Sequence, residues 1–268
     1  MEQRLAEALQ GRRCTQYTYA TVHEDVPPEL PADPAFTPSY PPYPYQRQAA
    51  ALLDAIYCEG AQHNLLVASP TGSGKSFAIQ WAARRALQEG YRLIVGVPLV
   101  ALAEQIYGQL RRLLADVALP SSSSEEEWDD FDNYGYAPPP QSSSSESPVG
   151  IRTGPSEQYP EAPVLVCTYE VVLLLQHHDL TLMDRMPVLL LDEIHTIADP
   201  DRGHVVETLL GQLPPDVCIV GMSGTLPNVQ ELADFMGRCN RQTTHIIGAV
   251  ERPIALEHHL APPDGKLR

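Results

Sequence analysis

The chain has 268 residues, a formal net charge of −16 and 43% apolar residues, enough for one large buried core or two small ones and too many for a chain disordered throughout. It lacks a run of about 18 apolar residues that would span a bilayer, and its start, MEQRLAEALQGRRC, carries charges where a secretory signal has its apolar region. Five widely spaced cysteines without a C-x-x-C pair suggest neither a disulfide framework nor a zinc cage, so the expectation is an intracellular protein, cytoplasmic or nuclear, with no membrane partner.

Acidity argues against a broad basic face for nucleic acid, since phosphate binding rewards clustered Lys and Arg. Much of it is local: residues 120–148 hold Glu125, Glu126, Glu127, Asp129, Asp130, Asp132 and Glu146 and no basic residue. The remainder is still acidic, so any nucleic-acid site must be a local feature. Of the 18 basic residues only Lys75 and Lys266 are lysines. A compact ammonium fits a ring of backbone groups that a guanidinium fork does not.

In chain order, residues 1 to about 22 read as a short amphipathic helix followed by an extended piece. Eight prolines between Pro27 and Pro44 predict an extended, linker-like arm. From Tyr45 onward, apolar strands alternate with helical periods: helix 46–58, strand 64–68, helix 75–88, strand 92–97, helix 99–114. The Ser-, acid- and Pro-rich stretch beginning LPSSSSEEEWDD has no such period and predicts a disordered surface insertion over 118–148. Order resumes with strand 164–168, a helix near 169–176, strand 188–191, a helix after Arg202, strand 217–223, helix 228–236 and strand 245–250. Short, nearly continuous apolar strands alternating with helices predict an α/β fold, a mostly parallel sheet covered on both faces. Ligands then sit beyond the carboxyl ends of the strands. The organisation expected is an arm over 1–39, one α/β domain over 40–260 interrupted by the insertion, and a tail over 261–268.

Two stretches carry chemistry. ASPTGSGKS (68–76) lies between a predicted strand and a predicted helix, the context of a phosphate-binding loop. Ser69, Pro70, Thr71, Gly72, Ser73, Gly74, Lys75 and Ser76 are therefore candidate nucleotide-binding residues. Gly72 and Gly74 allow successive N–H groups to turn inward, Lys75 suits the β and γ phosphates, and the Ser76 hydroxyl suits magnesium. The strict G-x-x-x-x-G-K-[ST] pattern has glycine where Ser69 stands, and a Gly/Ser turn with an exposed lysine is the bland alternative. In LLLDEIH (189–195), Asp192 is a candidate magnesium ligand and Glu193 a candidate base for the attacking water. An acid pair after a strand is often only a solvated turn, but a phosphate loop upstream favours the ATP and magnesium reading.

The segment order resembles the first RecA-like domain of superfamily 2 helicases of the DExH kind. DEIHTIADPDRGHVVE resembles the superkiller-type, exosome-assisting RNA helicases, with Asp199, Arg202, Gly203 and Glu207 at the signature positions. MSGTLPNVQELADFMG (222–237) is similar to the family's Ser-Ala-Thr segment, with Gly224 where alanine is usual, and VERPIALEHHL (250–260) to its Arg-Pro linker. The resemblance implies a three-layer RecA-like fold and a catalytic set of Lys75, Asp192, Glu193 and His195. It also implies that Ser223 and Thr225 couple ATP state to strand grip. Gln46 is similar to the glutamine that reads adenine, with Tyr40 or Tyr43 as the neighbouring aromatic; a helix-start glutamine is the equal alternative. Pro98 and Leu99, Thr153 and Gly154, and Thr168 fall in segments that resemble the family's grips on the nucleic-acid backbone.

Such a motor also needs a second RecA-like domain, whose arginine finger is worth roughly a thousandfold or more in rate, and no later motifs follow the linker-like segment in these residues. The function expected is the ATP-binding domain of an ATP-dependent RNA helicase, a fragment lacking that second half. Single-stranded RNA, a second RecA-like domain or RNA-decay proteins would be its partners. Two alternatives stand beside it: a nucleotide-dependent nucleic-acid-binding or regulatory module, and a fragment of a DNA-repair DExH helicase.

Overall fold

The computed structural model describes residues 19–33, 40–115, 147–178, 185–224 and 226–249. The strands are β1 (Ala20–Val22), β2 (His63–Ala68), β3 (Leu93–Val97), β4 (Val149–Arg152), β5 (Glu157–Gln158), β6 (Val164–Thr168), β7 (Val188–Asp192), β8 (Cys218–Ser223) and β9 (Thr243–Gly248). Six α-helices intervene: α1 (Pro44–Glu59), α2 (Ser76–Gln88), α3 (Val100–Leu113), α4 (Tyr169–His178), α5 (Gly203–Gly211) and α6 (Val229–Asn240). A 3-10 turn, Ile194–Ala198, follows β7.

The strands form one sheet in the order β1-β9-β2-β8-β7-β3-β6-β4-β5. Every pairing is parallel except β4 with β5. The apolar runs are continuous because both faces are covered. Leu65, Val67, Val95, Val166, Leu190 and Val220 pack under α1, α2 and α3. Their neighbours Leu66, Ile94, Leu165, Leu189 and Ile219 pack under α4, α5 and α6. The fold is thus the three-layer α/β architecture that the strand–helix alternation predicts.

Helix α1 begins where Pro44 occupies its first turn and the Gln46 side-chain oxygen accepts the Tyr43 N–H at 2.9 Å, and it ends at Gly60 in the left-handed region (φ 70°). Where α6 meets the sheet, Asn64 and Asn240 exchange two side-chain amide hydrogen bonds of 2.8 Å, and Asn64 also accepts the Ile219 N–H. This buried pairing ties β2, β8 and the end of α6 together.

Three strands do not stand out by periodicity. β1 has three residues and is a strand because β9 presents it an open edge; β4 and β5 are similarly short. The arm after β1 runs extended but is held along its length. Gln48 donates to the His23 and Asp25 carbonyls, Arg47 to Pro27, and buried Arg84 pairs with buried Asp33 at 2.9 Å. The expected helix near the N-terminus, the bulk of the acidic insertion and the 261–268 tail lie outside the described residues.

Candidate functional site

All strands but β5 point the same way, so the ends of β2, β8 and β7 and those of β3, β6 and β4 share one sheet edge. Every sequence-predicted site residue that is described falls on or just beside that edge.

The phosphate-loop candidates join β2 to α2. Gly72 and Gly74 have φ of 81° and 92°, a region that side chains rarely adopt. A Cβ on Gly74 would also stand 2.7 Å from Gln46 Nε2. The Lys75 ammonium donates to the Ser69 carbonyl at 2.9 Å, folded into its own loop. Ser69 is fully buried; its N–H donates to the Ser223 carbonyl and its hydroxyl accepts the Ala249 N–H at 2.8 Å. The serine hydroxyl thus fastens β2 to the end of β9, work that a glycine could not do. Ser73 Oγ is buried without a partner among the described residues. Gln46 is buried as well, its side-chain N–H donating to the Gly74 carbonyl at 3.0 Å while its oxygen caps α1. The helix-start role is therefore realised, and the same amide also braces the loop. Tyr40 and Tyr43 stand partly exposed beside it, and Tyr43 stacks on Tyr45.

Asp192 ends β7 and its Oδ1 accepts the Glu193 N–H at 3.0 Å. Burial, then the like charge of Glu193, pushes its carboxyl up to about 6, while nearby Lys75 pulls the other way. Glu193 takes a left-handed conformation (φ 57°, ψ 41°), unusual for a residue with a side chain. His195 Nδ1 lies 2.9 Å from Ser223 Oγ and 3.2 Å from Glu193 Oε2, which brings together the three residues predicted from two separate motifs. Beside them a cavity of about 670 Å³ is lined by His195, Ile197, Glu207, Ser223, Leu226 and Phe235. Thr225 lies outside the described residues. The donor set fits a nucleotide with a divalent cation: a loop hydroxyl without a partner among the described residues, a lysine that donates to the Ser69 and Pro70 carbonyls, and a desolvated carboxylate that a cation would favour.

Farther along the edge, Pro98 follows β3, and Leu99, 57% exposed, precedes the first turn of α3. Thr153 follows β4, is buried and exchanges hydrogen bonds with Ser156; Gly154 is exposed with open space around its α-carbon. Thr168 ends β6 and is paired with Val97 in register. These five residues thus form a second cluster on the β3-β6-β4 half of the sheet.

A profile of the DEAD/DEAH box helicase family matches residues 43–232. The chain belongs to that family. The helicase chain is 29% identical over 228 residues to superkiller complex protein 2 of Mus musculus, covering 85% of this chain and 15% of that protein. It is 28% identical over 259 residues to the exosome RNA helicase MTR4 of Homo sapiens, covering 97% and 21%. It therefore spans only 15% to 21% of the lengths of these relatives. The crystal structure of the DUF1998 helicase MrfA bound to DNA superposes with a TM-score of 0.56 at 14% identity, covering 91% of this chain and 34% of that one. Sequence and fold together are those of a superkiller-like DExH helicase's first RecA-like domain.

In this helicase domain the Asp-x-x-Arg-Gly signature is mostly architecture. Asp199 Oδ1 accepts the N–H groups of Asp201 and Arg202 at 2.9 and 3.1 Å, and a Cβ on Gly203 would stand 2.2 Å from the Ile197 carbonyl oxygen. Sequence reasoning missed Tyr45, whose hydroxyl donates to the Ser73 carbonyl at 2.7 Å, and Tyr169, whose hydroxyl donates to the Asp192 carbonyl. It also missed Glu170, which pairs with Arg202. No spacing rule marks them, because their partners are 28, 23 and 32 positions away.

Proposed function

We propose that this domain binds ATP with magnesium and, in the company of a second RecA-like domain, couples its hydrolysis to movement along single-stranded RNA. Lys75 neutralises the β and γ phosphates, Ser76 and Asp192 hold the metal, and Glu193 orients the attacking water. His195, Ser223 and Thr225 pass the state of the site onward. Magnesium, when bound, spreads the charge that develops on the phosphate oxygens. The observation that carries the reading is the meeting of three separate motifs at one sheet edge: the loop of Lys75, the Asp192–Glu193 pair beside it, and Ser223 within hydrogen-bond distance of His195. RNA rather than DNA is supported by the superkiller-like signature and by the exosome RNA helicase among its relatives.

The test is RNA-stimulated ATP turnover of the chain and of Lys75→Ala, each supplied with a second RecA-like domain that carries the arginine finger. Turnover is expected to fall at least about a hundredfold in the variant, as when a charge-stabilising donor is removed. ATP binding without RNA-dependent turnover, even with a second RecA-like domain supplied, would identify a nucleotide-dependent binding module instead.

A further inference from the structure

The nucleotide half and the strand half of the sheet edge are joined through one side chain. Tyr169 follows Thr168 at the start of α4 and is buried, yet its hydroxyl crosses β3 to donate to the Asp192 carbonyl on β7. It can cross because Gly96 of β3 has no side chain. A Cβ there would stand 2.8 Å from Leu191 Cδ2 and 3.2 Å from the Tyr169 ring. Gly96 has no positive φ to explain it, so the slot for the ring is its structural use.

The Asp192 carbonyl leads directly into Glu193, whose left-handed backbone is strained and persists only while neighbours hold it. Three side chains do so: Tyr169 on the preceding carbonyl, Asp192 on the Glu193 N–H, and Thr196, whose hydroxyl donates to the Glu193 carbonyl. A second tie runs in parallel. Glu170, the next residue of α4, pairs with Arg202, whose N–H is capped by Asp199 at the end of the same DEIH turn. Helix α4 is anchored on the core by Val172 in its first turn and Leu175 in its second. The route from Thr168 to the Asp192–Glu193 turn is thus a contiguous set of packed and hydrogen-bonded side chains.

We propose that Tyr169 and Glu170 are positioning residues that link occupancy of the strand-binding segment at Thr168 to the placement of Asp192 and Glu193, so that nucleotide and single-stranded RNA bind with mutual dependence. The inference rests on the ATP- and RNA-binding reading above.

The test uses the whole chain, labelled oligouridine, and a non-hydrolysable ATP analogue with magnesium, each ligand titrated with and without the other. The unaltered chain is expected to show an affinity change of about fivefold or more, equal in both directions as linkage requires. Tyr169→Phe and Glu170→Gln should each bind either ligand alone within about twofold of the unaltered chain while the mutual effect falls toward none. The paired exchange Glu170→Arg with Arg202→Glu should restore part of it. Glu170 and Arg202 are nearly half exposed, so Glu170→Gln carries the test even if Tyr169→Phe unfolds. Both ligands binding without mutual effect, or both variants keeping it, would overturn the proposal alone. Failure of the unaltered chain to bind either ligand would overturn the functional reading and this inference with it.

Discussion

Gly203 and Gly224 look alike in the sequence and differ in what they do. At Gly203 an added methyl would meet the Ile197 carbonyl at 2.2 Å, a backbone atom that cannot step aside. Gly203→Ala is expected to cost on the order of 1–3 kcal/mol in urea unfolding, the range for an overpacked site. At Gly224, where the family usually has alanine, a Cβ meets nothing within 4 Å and φ is ordinary. Gly224→Ala should therefore stabilise the chain by about 0.4–1 kcal/mol, chiefly by narrowing the unfolded ensemble. The same unfolding series reads both, and a destabilised Gly224→Ala would show that the turn needs its glycine. Ser69 teaches the reverse lesson. As a departure from the phosphate-loop pattern it looks like a loss, but its hydroxyl is what receives the Ala249 N–H.

Among the elements, the arm and β1 are held by contacts that no local pattern announces. Asp33 accepts hydrogen bonds from Arg84 at 2.9 Å and from Gln88 at 3.2 Å. Asp33→Ala is accordingly expected to cost about 1.5–3 kcal/mol, the range for a hydrogen bond to a charged group, measurable by the same denaturation. Around β9, the His245 ring meets His23 and His63 edge-on at 5.1 and 5.0 Å, and its buried Nδ1 has no partner among the described residues. Burial, followed by its two histidine neighbours, holds His245 down at about 4; burial, opposed by a hydrogen bond to the Leu52 carbonyl, lowers His63. Because the folded state protonates less readily than the unfolded one, this contribution is present above the ordinary histidine range, about 6.5, and is lost as pH falls from there toward about 4. Unfolding midpoints between pH 7 and pH 4.5 should decline more steeply in the unaltered chain than in His245→Gln; parallel declines would rule the histidines out as the cause.

At the scale of the molecule, parallel strands sort the chain into a working edge and a far edge. β3 leads into α3, which returns beneath the sheet, and β4 starts level with β6, the Val164 N–H bonding to the Pro148 carbonyl. The described residues that flank the acidic segment, the close of α3 and the start of β4, thus both lie at the far edge. Replacing residues 118–146 with a short Gly/Ser linker is expected to leave ATP binding unchanged, as read by titration with a fluorescent nucleotide; lost binding would give the segment a part in the site.

Most elements of the α/β core and the phosphate-loop and acid-pair motifs were legible in the residues, because burial on both faces imposes continuous apolar runs and phosphate chemistry demands Gly, Lys, Ser and Asp at short, local spacings. The short strands β1, β4 and β5, the fastening role of Ser69, the bracing amide of Gln46 and the bridge from Tyr169 across Gly96 were decided only by tertiary structure. Each depends on an atom supplied by a distant part of the chain: an open strand edge, a backbone N–H or a carbonyl. Sequence periodicity registers which face a residue turns to the core, but not which polar atom waits for it there.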